Sequence, residues 1–178
     1  VYINGREAGK HNGAYTAFSL DITALVKEGS NDIKVKVWNP LEKGIGPRGK
    51  QTLNPNSMWY TASSGIWQTV WLEQVPENYI KSIKVTPDVD KQLVNVVVNG
   101  SGNIPVQVKV LDGKKVVTTL SGLEPSLPGG ERSMKINIPN VKLWSPDTPF
   151  LYDLEIIMGK DTVKSYFGMR KVEIKKDD

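Results

Sequence analysis

The 178-residue chain contains no cysteine and a single histidine, His11. The absence of cysteine excludes disulfide bonds, thiolate metal sites and cysteine nucleophiles, but it leaves the cellular compartment open. A Ser-His-Asp relay would have to use His11, and no Gly-x-Ser-x-Gly elbow is present to position a serine. We interpret His11 as a polar loop residue beside Asn12-Gly13, and we predict no catalytic residue.

The sequence also gives little support for a metal site or a phosphate-binding site. An oxygen-only Ca²⁺ site is conceivable at Asp88 and Asp90, but two aspartates in a strand connection more often belong to a turn. The basic, glycine-rich stretch 44–50 departs from both phosphate-binding fingerprints, and its Pro47 lacks a backbone donor. We therefore predict no metal and no cofactor.

Long apolar runs and clusters of basic residues are also missing. No run approaches the ~20 residues that cross a bilayer, which predicts no membrane partner. The formal net charge is +4, but the lysines are dispersed over several strand-like segments, which favours solvated strand faces over nucleic-acid binding. These lysines are Lys34, Lys36, Lys81, Lys84, Lys109 and Lys135.

Alanine is scarce and β-branched residues are abundant. The chain has five alanines against 43 valines, isoleucines and threonines, a balance that favours strands over helices. The composition predicts an all-β protein.

The first forty residues carry strand and turn signals. Asn4-Gly5 predicts a tight hairpin turn, because both central positions need positive φ. Residues 17–21 are predicted to form a strand, and Asp21 is predicted to cap a short turn over 22–27. Residues 31–39 alternate, which predicts a half-buried strand with Ile33, Val35 and Val37 on one face.

Residues 40–57 are rich in glycine and proline and predict a long loop, the first place to look for a contact surface. Residues 66–75 predict a strand that places Trp67 and Trp71 on one face, and we interpret both as core residues. Trp59 and Tyr60 lie at the exit of the loop, where burial and stacking on a ligand remain open.

Seven further strands follow, which indicates an immunoglobulin-like sandwich. They are predicted at 79–86, 92–99, 105–111, 114–120, 131–138, 150–158 and 162–175. Alternation predicts which side chains point inward. The inward residues are Val106, Val108, Val110, Met134, Ile136, Ile138, Tyr152, Leu154, Ile156 and Met158. The predicted domains are 1–76 and 77–178, and the first is expected to be incomplete because it begins in mid-strand.

Several short motifs follow one another along the whole chain. They are Val1-Tyr2-Ile3-Asn4-Gly5, His11-Asn12-Gly13-Ala14-Tyr15, Arg48-Gly49-Lys50-Gln51, Ser64-Gly65-Ile66-Trp67-Gln68, Leu143-Trp144-Ser145-Pro146 and Phe167-Gly168-Met169-Arg170. In this order they resemble glycoside hydrolase family 2, which includes β-galactosidases, β-glucuronidases and β-mannosidases. The resemblance implies a jelly-roll-like sugar-binding domain of which the chain holds the second part, then an immunoglobulin-like sandwich.

The resemblance also implies a catalytic TIM barrel beyond this chain, with two glutamates that perform retaining hydrolysis. In the family the acid/base glutamate follows an asparagine, and no Asn-Glu pair occurs here. No catalytic position is therefore assigned, and the chain is expected to be inactive alone.

A substrate-facing loop is implied at 54–59, because in family members the loop before Ser-Gly-Ile-Trp leans over the barrel mouth. Some β-galactosidases carry an aspartate before the Met-Trp pair, where this chain has Ser57. Two roles remain open for the basic part of the loop, contact with the barrel or ordering of the loop itself. The candidate substrate-binding residues are Arg48, Lys50, Gln51, Asn56, Ser57 and Trp59.

We hypothesise that the chain supplies accessory domains, scaffold and part of a cleft wall to a glycoside hydrolase. Its expected partners are carbohydrate through the parent enzyme, the missing barrel, and further copies through truncated sheet edges. Two alternatives are a free-standing carbohydrate-binding module and a fibronectin-like interaction domain.

Overall fold

The computed structural model describes residues 1–123 and 131–174, and the chain divides into two compact units, Val1–Trp71 and Leu72–Asp178. Apart from a 3₁₀ helix at Leu41–Lys43, every regular element in the described residues is a β-strand. The predicted all-β class is therefore confirmed. No helix in these described ranges has the length and apolarity to span a membrane.

The C-terminal unit contains the seven strands that the sequence predicts, and apart from the C-terminal end of the last strand their ends differ from the prediction by at most three residues. Numbered in chain order, they are β6 (Ile80–Asp88), β7 (Leu93–Gly100), β8 (Val106–Asp112), β9 (Lys115–Leu123), β10 (Glu131–Asn137), β11 (Tyr152–Met158) and β12 (Asp161–Phe167). They form two antiparallel sheets, in the orders β10-β7-β6 and β12-β11-β8-β9. Gly113 and Gly159 adopt positive φ in the tight turns after β8 and β11.

The core of this unit lies between the two sheets. Every residue that alternation predicts to point inward is buried, and Val94, Val96 and Val98 of β7 join them. Each such side chain contributes roughly 1.5–3 kcal/mol when it is fully buried. Interdigitated apolar faces of this kind are what make a β-sandwich stable.

The last predicted strand, 162–175, is too long. Pairing of β12 with β11 ends at Phe167, and residue 175 lies outside the described residues. Beyond the strand, Met169 is fully buried and forms an isolated parallel bridge with Leu143. The Arg170 guanidinium lies 4.7 Å from the centre of the Trp144 ring. After Phe167 the chain therefore packs against Leu143 and Trp144 instead of continuing its pairing with β11.

A buried arginine fixes the loop that leads from one sheet to the other. Arg132 of β10 is fully buried, and its Nη2 donates hydrogen bonds to the carbonyls of Gly102 (2.7 Å) and Ile104 (2.8 Å). At the same end of the sandwich, Asp161 accepts a hydrogen bond from the Ile80 amide at 2.8 Å. Polar bonds thus hold the β7–β8 connection and link β12 to β6.

Tyr152 holds the connection between β10 and β11. Its buried ring packs against Phe150 and Phe167, with ring centres 4.9 and 5.3 Å apart. Its hydroxyl accepts a hydrogen bond from the Lys142 amide at 2.8 Å. The arrangement resembles the tyrosine corner of Greek-key sandwiches, in which a tyrosine near the start of a strand bonds to upstream backbone; here the bonded amide lies ten residues upstream.

The N-terminal unit has short strands only. They are β1 (Tyr2–Ile3), β2 (Arg6–Glu7), β3 (Ile33–Lys34), β4 (Gln51–Thr52) and β5 (Tyr60–Thr61). The predicted hairpin is confirmed, with Asn4 and Gly5 both at positive φ between β1 and β2. Asp21 caps the following turn as predicted, because its carboxylate accepts hydrogen bonds from the amide and hydroxyl of Thr23.

Three strand predictions for this unit are wrong in whole or in part. Neither 17–21 nor 66–75 forms a strand, and the predicted strand 31–39 is reduced to β3. Ile33, Val35 and Val37 are 52, 38 and 47% exposed rather than half-buried on a core face. Residues 1–71 are all described, and Ile3 is the one hydrophobic side chain among them that is buried. Longer strands would add little stability here, because the paired strands do not pack against a second layer.

The prediction that Trp67 and Trp71 are core residues is also wrong. They are 63 and 72% exposed. The alternation argument assumes that a second layer covers the apolar face, and within residues 1–71 no such layer covers the two indoles.

We expect Tyr152→Phe to lower the free energy of unfolding by about 1 kcal/mol, because the Lys142 amide loses its acceptor. Urea unfolding monitored by circular dichroism measures the change. Tyr166→Phe, on an exposed side chain, is the matched control and should change stability by less than about 0.5 kcal/mol. Equal losses in the two variants would contradict a role for the corner hydroxyl.

Candidate functional site

The candidate residues lie in the predicted loop and just after it, and two short strands join the segments on either side of the loop tip. β4 and β5 pair in parallel, with Gln51 opposite Tyr60. The Tyr60 amide also donates a hydrogen bond to the Lys50 carbonyl at 2.9 Å. As predicted, the stretch has no regular ladder throughout, because its glycines and prolines interrupt strand geometry.

Arg48 lies between a carboxylate and an aromatic ring. Its Nη1 is 3.7 Å from Oε1 of Glu42, and its guanidinium carbon is 5.9 Å from the centre of the Trp59 ring. Both contacts are partly exposed, so each contributes modestly to stability. Their effect is to set the position of the Trp59 ring relative to the start of the loop.

Glu42 is the polar centre of this arrangement. Its carboxylate accepts hydrogen bonds from the Thr52 hydroxyl and from the Leu53 amide, the latter at 3.3 Å. The Thr52 hydroxyl lowers the pKa of Glu42 below its ordinary value, with smaller contributions from Leu53 and Arg48. The ionised carboxylate therefore ties the 3₁₀ helix to β4.

Gln51 ties β4 to the residues after β5. Its Oε1 accepts hydrogen bonds from the amide and hydroxyl of Ser63, at 2.8 and 3.0 Å. In the described part of the chain the Lys50 ammonium forms no hydrogen bond, ion pair or cation-π contact. Arg48 and Gln51 thus order the loop, as one of the two proposed roles requires, whereas the Lys50 side chain is free to meet a ligand or another surface.

Asn56, Ser57 and Trp59 form the tip of the loop. The Trp59 amide donates a hydrogen bond to the Asn56 carbonyl at 3.0 Å, and Ser57 has a positive φ of 50°. Asn56, Ser57 and Trp59 are all exposed, Trp59 the least of the loop's aromatic residues. The tip therefore presents one aromatic ring beside an amide and a hydroxyl group.

Sequence reasoning missed Glu42, Thr52 and Ser63. Each of them acts through a hydrogen bond that spans ten residues or more, and no local sequence pattern predicts such a bond. The one available signal is that Glu42 is the sole acidic residue within the glycine-rich stretch 40–57.

A second exposed aromatic group lies elsewhere in the N-terminal unit. The Trp67 indole donates a hydrogen bond to the Ala14 carbonyl at 2.7 Å, and the Tyr15 ring meets Trp67 edge-on at 6.0 Å. His11 stacks on Phe18 at 4.4 Å and hydrogen-bonds to Thr16 at 3.1 Å. The interpretation of His11 as a polar loop residue is confirmed.

Of the two aspartates of the conceivable Ca²⁺ site, Asp88 ends β6 and Asp90 lies in the turn that leads to β7. Asp88 accepts a hydrogen bond from the Lys91 amide at 3.0 Å. Asp90 pairs with the Lys171 ammonium at 2.7 Å, and together with Glu173 it raises the pKa of Lys171 to about 12. The two carboxylates therefore have lysine partners, and the interpretation as a turn is confirmed.

Two surface depressions are lined by residues outside the loop. One, of about 170 Å³, is lined by Tyr2, Gly5, Asp32, Lys34 and Lys36. The other, of about 290 Å³, lies in the sandwich beside Asp112, Lys142 and Tyr152. Neither contains a residue that the sequence marks as a candidate.

The arrangement at the loop is suited to binding rather than to proton transfer. An aromatic face can stack on an apolar ring face, and neighbouring amide, hydroxyl and ammonium groups can hydrogen-bond to hydroxyl groups. General acid–base work on a glycosidic bond requires two carboxyl groups across a cleft. Glu42, the carboxylate of this loop, is engaged by Thr52 and Arg48.

Comparison with known proteins identifies related sequences. Residues 78–170 match the sequence profile of the family described as glycosyl hydrolases family 2. The chain is 32% identical to a putative β-glucuronidase of Formosa agariphila, over 98% of this chain and 22% of that protein. It is 29% identical to a β-galactosidase of Thermoanaerobacter pseudethanolicus, over 99% of this chain and 25% of that protein. The chain thus spans about a quarter of the length of these relatives.

A solved structure is also similar. A β-glucuronidase of Faecalibacterium prausnitzii matches 55% of this chain and 15% of its own, with 33% sequence identity and a TM-score of 0.45.

We expect Glu42→Gln to loosen the loop at neutral pH, because Arg48 loses its ion pair and Thr52 loses a charged acceptor. Amide hydrogen exchange of residues 48–61 should quicken about two- to threefold, the scale of an exposed ion pair. Glu28→Gln, at an exposed residue, is the control and should leave the loop unchanged.

Comparison of wild type with Glu42→Gln also tests how the order of the loop depends on pH. Because the folded-state pKa of Glu42 lies below its ordinary value of 4.5, the carboxylate stabilises the loop above that value, and this contribution disappears as the pH falls through the lowered pKa. The difference between wild type and Glu42→Gln should therefore vanish in acid. A difference that persists there would contradict the assignment.

Proposed function

Because the chain belongs to glycosyl hydrolases family 2, we propose that it forms non-catalytic accessory domains of an enzyme that hydrolyses β-linked sugars. The match to the family profile covers the sandwich, and the relatives named as β-glucuronidase and β-galactosidase are about four times longer than the matched region. In this proposal the sandwich is scaffold, and the chemistry belongs to polypeptide outside this chain.

The observation that carries the proposal is the exposed apolar surface of the N-terminal unit. One buried hydrophobic side chain, Ile3, cannot support a unit of 71 residues, and small β domains need a second layer to be stable. Exposed side chains such as Val35, Val37 and Trp71 fit a face that other strands cover. We propose that the unit is the second part of a jelly-roll-like domain whose remaining strands come from the longer protein.

We further propose that the loop tip contributes to the wall of the substrate cleft. Trp59, Asn56 and Ser57 offer a stacking face and hydrogen-bonding groups, and Glu42 and Gln51 hold the loop in place behind them. Lys50 supplies an ammonium group that is not engaged within the described residues. The side chains at the tip can then meet a sugar that is held by the catalytic domain.

A free-standing carbohydrate-binding module is the second candidate. It is favoured by one observation, the neighbouring exposed rings of Trp59 and Tyr60. The two candidates differ in whether the chain alone binds sugar. A cleft wall that lacks the rest of its cleft offers too few contacts for saturable binding.

We therefore expect the purified chain to show neither turnover of nitrophenyl β-glycosides nor saturable quenching of tryptophan fluorescence by sugars. Saturable quenching that Trp59→Ala abolishes would favour the binding module. Saturable turnover that is lost when one of its own carboxylates is replaced would contradict the proposal of accessory domains.

We also expect the isolated chain to self-associate through the N-terminal unit. β3 is an edge strand of the sheet β2-β1-β3, and its apolar face is exposed, so a second copy can pair with the edge and cover the face. Light scattering over a dilution series measures the association. Val35→Lys, on the apolar face, should weaken it by about tenfold or more, whereas Lys34→Gln, on the opposite face, should not.

A strict monomer at all concentrations, with slow amide exchange throughout residues 1–39, would contradict this prediction, because the unit would then be stable without a cover.

A further inference from the structure

Three asparagines of this chain directly precede a glycine, and the structure places them in three different environments. They are Asn4, Asn12 and Asn99. An asparagine before glycine is chemically reactive, because glycine has no side chain to keep its backbone nitrogen away from the asparagine carboxamide.

The reaction balances with water as the one co-reactant. The backbone nitrogen of the glycine attacks Cγ of the asparagine, a new C–N bond closes a succinimide ring, and the carboxamide nitrogen leaves as ammonia with the proton of the glycine amide. Water then opens the ring at either carbonyl. The product is aspartate or isoaspartate, and each carries one new negative charge.

Hydrogen bonds keep the Asn4 carboxamide from turning its Cγ toward the Gly5 nitrogen. Its Nδ2 donates to the Leu25 carbonyl at 3.0 Å and to Oδ1 of Asn31 at 2.8 Å, and its Oδ1 accepts from the Asp32 amide at 3.0 Å. The carboxamide is thus fixed on both sides, and its rotation toward Gly5 requires the hairpin to open.

Asn99 is protected by the sheet itself. It lies in β7, between Ser82 of β6 and Glu131 of β10, and the next residue, Gly100, is buried. Ring closure needs backbone rotation that a central strand, hydrogen-bonded on both sides, does not permit without unfolding.

Asn12 has neither form of protection. It is exposed in a segment without regular structure, followed by Gly13 at a φ of 110°. Within residues 1–123 and 131–174, no residue hydrogen-bonds to the Asn12 carboxamide or to the Gly13 amide. We propose that the Asn12–Gly13 bond is a site of spontaneous modification, at which the chain deamidates and isomerises selectively through a succinimide.

The modification acts on the neighbouring aromatic contact. Isoaspartate lengthens the backbone by one methylene two residues before Ala14, whose carbonyl accepts the Trp67 indole hydrogen bond. The new carboxylate also lowers the formal net charge of +4 by one. The site therefore couples a slow chemical step to the position of the Trp67 ring.

Peptide mapping tests the selectivity directly, because trypsin separates the three sites into residues 1–6, 11–27 and 92–109. The full chain is incubated at low concentration in mildly alkaline buffer, and conversion is followed by mass spectrometry with fragment ions. Asn12 should convert at least about tenfold faster than Asn4, the ratio that ~1.4 kcal/mol of local opening produces, and Asn99 should be slowest. In concentrated urea the three rates should become similar.

Asn12→Gln is the matched variant, because its longer side chain closes a ring much less readily. It should abolish conversion of the 11–27 peptide and leave the other two peptides unchanged. The proposal is overturned if Asn4 or Asn99 converts as fast as Asn12 in the native chain. It is also overturned if Asn12 stays intact in the native chain under conditions in which urea-unfolded chain converts at all three sites. A Trp67 indole NMR signal that is unchanged at full conversion would overturn the coupling to Ala14.

Discussion

Burial of alternating apolar side chains between two sheets is the constraint on which the rest of the structure depends. In the C-terminal unit, valines of β7 and β8 and larger side chains of β10 and β11 fill the space between the layers. The hydrogen bonds of the buried polar side chains depend on this core. The Tyr152 hydroxyl and the Arg132 guanidinium hold connections between strands that the core has already positioned.

The N-terminal unit has the same kind of sequence without the second layer. Ile33, Val35 and Val37 alternate with lysines as regularly as the strands of the sandwich do, yet they remain exposed. The contrast shows that alternation specifies which side chains share a face, whereas burial depends on what the face meets. Our proposal of accessory domains rests on this contrast, because a face of this size is expected to have a cover in the intact protein.

Prediction from sequence succeeded where local signals and burial agree. Asp112-Gly113 and Asn4-Gly5 mark turns because few residues tolerate positive φ, and Val106, Val108 and Val110 fall inward because both layers are present. It failed for Trp67 and Trp71, which lack a covering layer within residues 1–71. At the loop, Arg48 and Trp59 were found as candidates from the motifs, but Glu42, Thr52 and Ser63 were not, because their hydrogen bonds join residues that are distant in sequence.

Native-state hydrogen exchange on the monomeric chain at high dilution tests the central claim most directly. If the core of the sandwich is self-sufficient and the N-terminal unit lacks its cover, amides of β7, β8 and β11 should exchange only through global unfolding, while those of β3, β4 and β5 exchange orders of magnitude faster. Equal protection of both groups of strands would contradict the account, because the N-terminal unit would then be stable with Ile3 as its one buried hydrophobic residue.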